Sequence, residues 1–361
     1  MAVSVVGVND IQVLIERYDA AERAGTCFVP NYAIAAFGLE TFAEVGYPVR
    51  ISRSEQLWRY HDVMQDGRFE HNLRLLGDGM DSDGGKLASQ AAASVTRFAE
   101  ARFGFSSAGR DMLSRAFVQY AMLCESLADK PRPWTILEVG PGCGYLGVIL
   151  GLDGHQYLAV EASQAFFVYQ SMLFKDVFGD EYSCGLDESI SARIRHLPWW
   201  ELCRERSSLP ALTAVTANHM LAEMNGKGLR FLISKLHQTQ ALGTPIIADT
   251  LGANYVNSED SVVQTICGLG FSAKETGPHR QWIFTKVDGR GTCERWKPSL
   301  GRIVQARAFR LPLIGARLER LAHRMKANEK FEASTASIVR RVLAGFPHVD
   351  GADLRFRNGT W

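Results

Sequence analysis

No stretch of this chain approaches the roughly 20 consecutive apolar residues that span a bilayer, so no transmembrane segment is expected. The N-terminus, Met1-Ala-Val-Ser-Val-Val-Gly-Val8, lacks both a basic start and a long apolar core, and no secretory signal is read there. An excess of one charge is missing too: 40 Lys and Arg face 39 Asp and Glu, which gives no global attraction to nucleic acid or membrane. The seven cysteines (27, 124, 143, 184, 203, 267 and 293) are odd in number, scattered, and include no Cys-x-x-Cys pair. That speaks against a disulfide frame or a zinc site and for reduced thiols in a cytoplasmic protein. No nucleic-acid motif is found, and aromatics are not interleaved with basic residues.

What is present centres on the stretch 134–147. Ile136, Leu137 and Val139 form a short apolar run suited to a buried parallel strand. Gly140, Gly142 and Gly144 follow, and Tyr145-Leu-Gly-Val-Ile-Leu150 reads as the start of an apolar helix. A strand that turns through glycines into a helix lets backbone approach a ligand and aims free N–H groups at it. Two registers overlap here. Gly142-Cys-Gly144-Tyr-Leu-Gly147 fits the dinucleotide fingerprint of nicotinamide-dependent oxidoreductases. Glu138-Val-Gly140-Pro-Gly142-Cys-Gly144 fits an acidic-x-Gly-x-Gly-x-Gly pattern, and an acid two positions before the first glycine suits a cationic group better than a diphosphate.

On that second register the chain resembles the class I S-adenosylmethionine-dependent methyltransferases. The resemblance implies an α/β fold with a doubly wound Rossmann-like sheet and a closing antiparallel strand pair, and S-adenosylmethionine as cofactor. It further implies that Glu138, Gly140, Pro141, Gly142 and Gly144 hold the methionine end. Glu161, ending the apolar run 157–160, and Ala162 then meet the ribose; His196 and Leu197 meet the adenine. Helices ahead of the core strand would cover the cofactor, with Tyr120 and Arg115 within reach of its carboxylate.

Three regions are expected: a mainly helical cap at 1–130, the cofactor-binding domain at 131–288, and a basic helical segment at 289–361. Within the cap, helices are read at about 9–23, 52–64, 86–103 and 108–129, and the Asp- and Gly-rich run 77–85 as a lid or linker. The middle block alternates strand and helix, with strands at about 157–160, 192–197, 211–217 and 244–249, helices at 164–178, 219–240 and 259–268, and a closing strand pair at 270–275 and 280–286. From Arg290 to Arg357 fifteen Lys and Arg face six Asp and Glu, so the rest of the chain is acidic and this tail is read as covering it.

The reacting groups are expected in the loop after the fourth strand, Thr216-Ala-Asn218-His219-Met-Leu-Ala-Glu223. His219 and Glu223 are four apart, so a helix would place them on one face, the carboxylate raising the basicity of the ring. Asn218 would orient cofactor or acceptor. Planar-amine methylases carry prolines after the Asp or Asn here, and this chain has none, which argues against a nucleic-acid amine. Divalent metal on His219, Glu223 and Asp249 is an alternative, but the ligand set is incomplete and no metal is included. His196-Leu-Pro-Trp-Trp-Glu201 could supply an apolar platform for a sugar or aromatic acceptor, or simply pack against the N-terminal helices. With the Asn-His-x-x-x-Glu run it is similar to the sugar O-methyltransferase group. Polar residues His61, His71, Asn72 and Asn254 are further acceptor candidates.

The function expected is methyl transfer to a hydroxyl of a small molecule, a sugar or natural-product intermediate, with His219 as general base. Rivals are N- or C-methylation by proximity, a nicotinamide-dependent oxidoreductase, and a non-catalytic partner subunit. The partners expected are a small-molecule acceptor, no nucleic acid and no membrane; a homodimer is left open.

Overall fold

The computed structural model describes residues 8–27, 29, 50–57, 69, 72, 84–104, 110–186, 192–203, 209–250, 256–276, 281–289 and 291–295. The basic tail beyond 295, His61, His71, Asn254 and residues 77–83 of the Asp- and Gly-rich run lie outside them.

Among the described residues, the helices α1 (Val8–Thr26), α2 (Gly84–Phe103) and α3 (Arg110–Ser126) precede the sheet, with a 3-10 turn at Ser54–Leu57. Then come β1 (Thr135–Val139), α4 (Tyr145–Leu152), β2 (Gln156–Glu161), α5 (Gln164–Phe178), a 3-10 turn at Gly179–Glu181, β3 (Tyr182–Cys184), β4 (Ile194–Pro198), α6 (Trp199–Cys203) and β5 (Ala214–Ala217). The chain continues through α7 (Gly226–Thr239), β6 (Pro245–Asp249), α8 (Glu259–Gly268), β7 (Phe271–Glu275), β8 (Gln281–Lys286) and β9 (Cys293–Glu294).

The strands form one nine-stranded sheet in the order β3-β4-β2-β1-β5-β6-β8-β7-β9. All neighbours are parallel except at β8, which runs antiparallel to both β6 and β7. This is a doubly wound Rossmann-like sheet with a closing antiparallel pair. Parallel strands must be covered on both faces, and β1, β5 and β6 are correspondingly apolar and buried. Helices α1 to α5 gather on one face, α2 and α3 packing on α4 and α1 on α5; α7 and α8 pack together on the other, as right-handed crossovers require. The chain leaves β1 outward through β2 and returns inward to β5, so the order reverses between β1 and β5. Ligands of such sheets lie beyond the carboxyl ends of the strands at that reversal.

Helix boundaries follow local chemistry. Ser163, Asn225 and Ser258 cap α5, α7 and α8, each side-chain oxygen accepting a backbone N–H from the first turn. Glu259 and Asp260 add negative charge at the start of α8.

Several expectations are corrected. The helix read at 219–240 begins only at Gly226, because Asn225 supplies its cap, and residues 219–225 form a turn. The short strand β3 at one edge was not anticipated. Residues 199–203 are a helical turn, and 293–294 pair with β7 as a strand where a helical segment was expected. Asn72, a polar candidate for acceptor contact, is buried, and its amide nitrogen donates to the Asp111 carbonyl at 3.1 Å and Ser114 Oγ at 2.9 Å. All seven cysteines carry free thiols. Among the described residues no helix is long and apolar enough to cross a membrane.

Candidate active site

The loop between β1 and α4 carries three left-handed residues, Gly140 (φ 69°), Gly142 (φ 59°) and Gly144 (φ 76°), a conformation that costs side-chain-bearing residues. Two of its amides are engaged internally: Gly140 N donates to the Val160 carbonyl at 2.9 Å and Gly144 N to the Pro141 carbonyl at 3.0 Å. The expectation of free loop amides therefore moves to the first turn of α4, where Gly144 provides no side-chain cap. A Cβ on Gly147 would meet Tyr157 Cε1 at 2.4 Å, so the lack of a side chain lets α4 lie against β2.

Sheet register puts Glu138, Thr216 and the Ala159 of β2 in one row, and strand alternation places Glu161 and Asp249 on the same face. Glu138 is 2% exposed; Oε2 accepts the Tyr157 hydroxyl at 2.6 Å, and Oε1 accepts no hydrogen bond from the described residues. Burial pushes its carboxyl up to about 7, with nearby Glu161 adding to the rise and the Tyr157 hydrogen bond opposing it. Glu161 accepts from Ser163 N at 2.9 Å and Gln170 Nε2 at 3.2 Å, yet burial also holds it at about 7. Cys143, buried in the loop, is pushed up to about 12 by burial, against the pull of the Arg115 guanidinium. The thiol stays protonated and serves as a small packing residue. Pro141 and Ala162 lie half-buried beside the two carboxylates.

The β5 loop lies directly on the glycine loop: a Cβ on Gly140 would meet Met220 Cγ at 3.2 Å. Here His219 adopts φ 57°, the single positive φ outside glycine among the described residues. Asp249, at the end of β6, holds it in place: Oδ1 accepts the His219 backbone N–H at 2.7 Å, and Oδ2 stands 2.8 Å from Nδ1, off the axis of the ring N–H. Nε2 is buried and has no partner among the described residues. Asn218 donates to Thr216 Oγ1 at 2.8 Å, which turns its amide toward the row containing Glu138.

The carboxylate partner of His219 is thus Asp249 and not Glu223. The helix that would have stacked His219 and Glu223 does not form there, and Glu223 instead closes a turn through its N–H to the Met220 carbonyl at 3.1 Å. Asp249 ends the apolar run Ile246-Ile247-Ala248 much as Glu161 ends the run in β2, which was the available signal.

Four other expected contacts are not assembled. Tyr120 donates to Asp153 Oδ2 at 2.5 Å, at the C-cap of α4, with burial and that bond raising its pKa. An eight-residue helix is about 12 Å long, so the hydroxyl lies at the end of α4 away from the glycine loop. His196 is in the core: its ring stacks on Phe167 at 4.0 Å, Nδ1 faces Ser171 Oγ at 3.3 Å, and burial lowers its pKa to about 3. Leu197, on the opposite side of the strand, pairs with Val160 and packs on the core. The tryptophans form no platform, because Trp199 Nε1 donates to Glu22 of α1 at 3.2 Å and Trp200 lies edge-on to Tyr18 at 5.0 Å.

No family model matches the chain, and no curated relative does. Solved structures similar to it include "PigF with SAH", at 14% identity over 56% of this chain and 69% of that one, with a TM-score of 0.33. Magnesium protoporphyrin IX methyltransferase (ChlM) from Synechocystis PCC 6803 with bound SAM is also 14% identical, over 64% of this chain and 97% of that one, with a TM-score of 0.37. The [4+2]-cyclase SpnF is 16% identical over 44% of this chain and 61% of that one, with a TM-score of 0.32. Likeness at this level does not decide reaction or cofactor.

Proposed function

We propose that this protein is an S-adenosylmethionine-dependent methyltransferase acting on a hydroxyl group of a small molecule, such as a sugar or natural-product intermediate. The observation that carries the reading is Glu138: a buried carboxylate at the glycine loop with one oxygen held by Tyr157 and the other accepting no hydrogen bond from the described residues. A cation suits that oxygen. A dinucleotide pyrophosphate does not, since two carboxylates flank a loop in which the Gly140 and Gly144 amides already have acceptors. The left-handed glycines allow the tight turn that brings bare backbone to a ligand, so the residues present fit the cofactor.

When bound, S-adenosylmethionine supplies a methyl carbon made electrophilic by its sulfonium. Glu138 would hold the cationic amino group, the first-turn amides of α4 and the nearby charge of Arg115 the carboxylate, and Glu161 the ribose hydroxyls. The remaining task of the chain is to place the acceptor and remove its proton. His219 is the base in this reading. With its proton on Nδ1 beside Asp249, Nε2 is the acceptor atom, and the Asp249 carboxylate stabilises the imidazolium that results. The packing of Met220 on Gly140 keeps this ring next to the loop. The tryptophan pair gives no support to a sugar in particular, being covered by α1.

Calorimetric titration with S-adenosylhomocysteine and with NAD tests the cofactor, and mass spectrometry of hydroxylated small molecules incubated with enzyme and S-adenosylmethionine tests the transfer. Uptake of S-adenosylhomocysteine and a gain of one methyl on oxygen are expected. Tight binding of NAD alone, or of neither ligand, would overturn the reading.

A further inference from the structure

A glutamine lies where an apolar residue would pack more cheaply. Gln170 is fully buried in the middle of α5, among Phe166, Phe167, Leu173 and Phe174. Its carbonyl oxygen has no partner among the described residues. A buried amide with an unused acceptor is a cost that leucine or methionine would not incur. The nitrogen end shows why it is kept. Nε2 donates to the Gly142 carbonyl and, at 3.2 Å, to Glu161 Oε2, joining the loop after β1 to the end of β2. The Gly142 carbonyl can only accept, and Glu161 accepts when ionised, which fixes the end of the amide that faces them. The loop is seated on this side chain, since a Cβ on Gly144 would meet Gln170 Cγ at 3.1 Å and Phe174 Cζ at 2.9 Å.

Resting on the cofactor assignment above, we infer that Gln170 is a positioning residue that buckles the glycine loop to Glu161 and aims that carboxylate at the hydroxyls of a bound nucleoside. It acts through Glu161 and Gly142 and needs no contact with the ligand. Donation from the amide favours the ionised form of Glu161 against the burial that opposes it, so losing the donor moves the onset of nucleoside binding to higher pH. A residue that merely filled space would leave that onset where it is.

The test uses the full chain and its Gln170→Met variant, which keeps length and bulk but donates nothing. Dissociation constants for S-adenosylhomocysteine and for adenosine are measured from pH 5.5 to 8.5. Roughly tenfold weaker binding of both ligands near neutral pH is expected, the loss of one charge-assisted hydrogen bond, together with an upward shift of the pH midpoint. Equal affinity and an unchanged midpoint in Gln170→Met overturn the inference while leaving the cofactor assignment intact. Wild-type protein that takes up no S-adenosylhomocysteine at any pH overturns the assignment itself and this inference with it. Should the variant not fold, a wild-type co-crystal with S-adenosylhomocysteine decides. Gln170 Nε2 still bridging Gly142 and Glu161, with ribose hydroxyls on Glu161, supports the role. A ribose placed elsewhere, or a glutamine turned away from both, ends it.

Discussion

At the scale of single residues, the site depends on His219 being held by Asp249 in a backbone conformation that β-branched and bulky residues avoid. Asp249→Asn keeps an oxygen for the His219 backbone N–H but removes the charge beside Nδ1. Turnover is expected to fall at least about 100-fold, the scale of a general base, with S-adenosylhomocysteine affinity within a few-fold of wild type. Glu223→Gln should leave turnover within a few-fold. Steady-state rates of the two variants compare the carboxylates directly, and equal losses would remove the distinction between them. A second prediction concerns packing. Gly147→Ala would drive a methyl into the Tyr157 ring and disturb the hydroxyl that holds Glu138, costing roughly 1–3 kcal/mol in urea denaturation. Gly226→Ala, in the first turn of α7 with open space around it, should be neutral or slightly stabilising.

At the scale of elements, the N-terminal helix docks on α5 and on the helical turn α6. Tyr18 packs its ring on Phe167 of α5 at 4.9 Å and on Trp200 at 5.0 Å, while Asp19 accepts the Gln164 amide at 2.7 Å. Arg50 ties Asp19 and Glu22 together, but it is half-exposed and such pairs contribute at most about 1 kcal/mol. Aromatic packing therefore carries the docking of α1. A Cβ on Gly25 would fall 2.3 Å from Trp200 Cδ1, so Gly25→Ala should loosen α1 and raise amide hydrogen exchange across 11–26, leaving the central strands protected. At α7 the Asn225 side chain accepts Gly228 N at 2.7 Å, and Asn225→Ala should cost about 1 kcal/mol on unfolding.

At the scale of the whole molecule, two buried carboxyls near 7 couple the fold, the pH and the ligand. Between the ordinary carboxylate value of 4.5 and about 7, the folded protein keeps protons that the unfolded chain has released. Stability from these groups is therefore full below that window and falls as pH rises through it, on the order of 1.4 kcal/mol per unit for each group while the window lasts. Affinity for a cationic ligand runs the other way, rising as Glu138 ionises. Ligand-free protein should lose melting temperature between pH 5.5 and 8, and Glu138→Gln, which still accepts from Tyr157, should lose less. Equal slopes in thermal melts would show that Glu138 does not titrate in this window.

Sequence alone determined the alternation of strand and helix, the glycine loop after β1, the acids at 138 and 161 and the closing strand pair. Each is written in short-range pattern, an apolar run bounded by glycine or a terminal acid, and such patterns survive any packing. Tertiary structure alone decided the partners. Asp249 reaches His219 because β6 lies beside β5, and Gln170 reaches Gly142 and Glu161 because α5 crosses over both strand ends. Tyr120 and His196 are turned away from the site by contacts 33 and 25 residues distant along the chain. Helical spacing suggested Glu223 for His219, yet a capping asparagine at 225 started the helix later, and a neighbouring strand supplied the carboxylate instead. Contacts between residues far apart in sequence depend on which strands become neighbours, and no local pattern of residues encodes that.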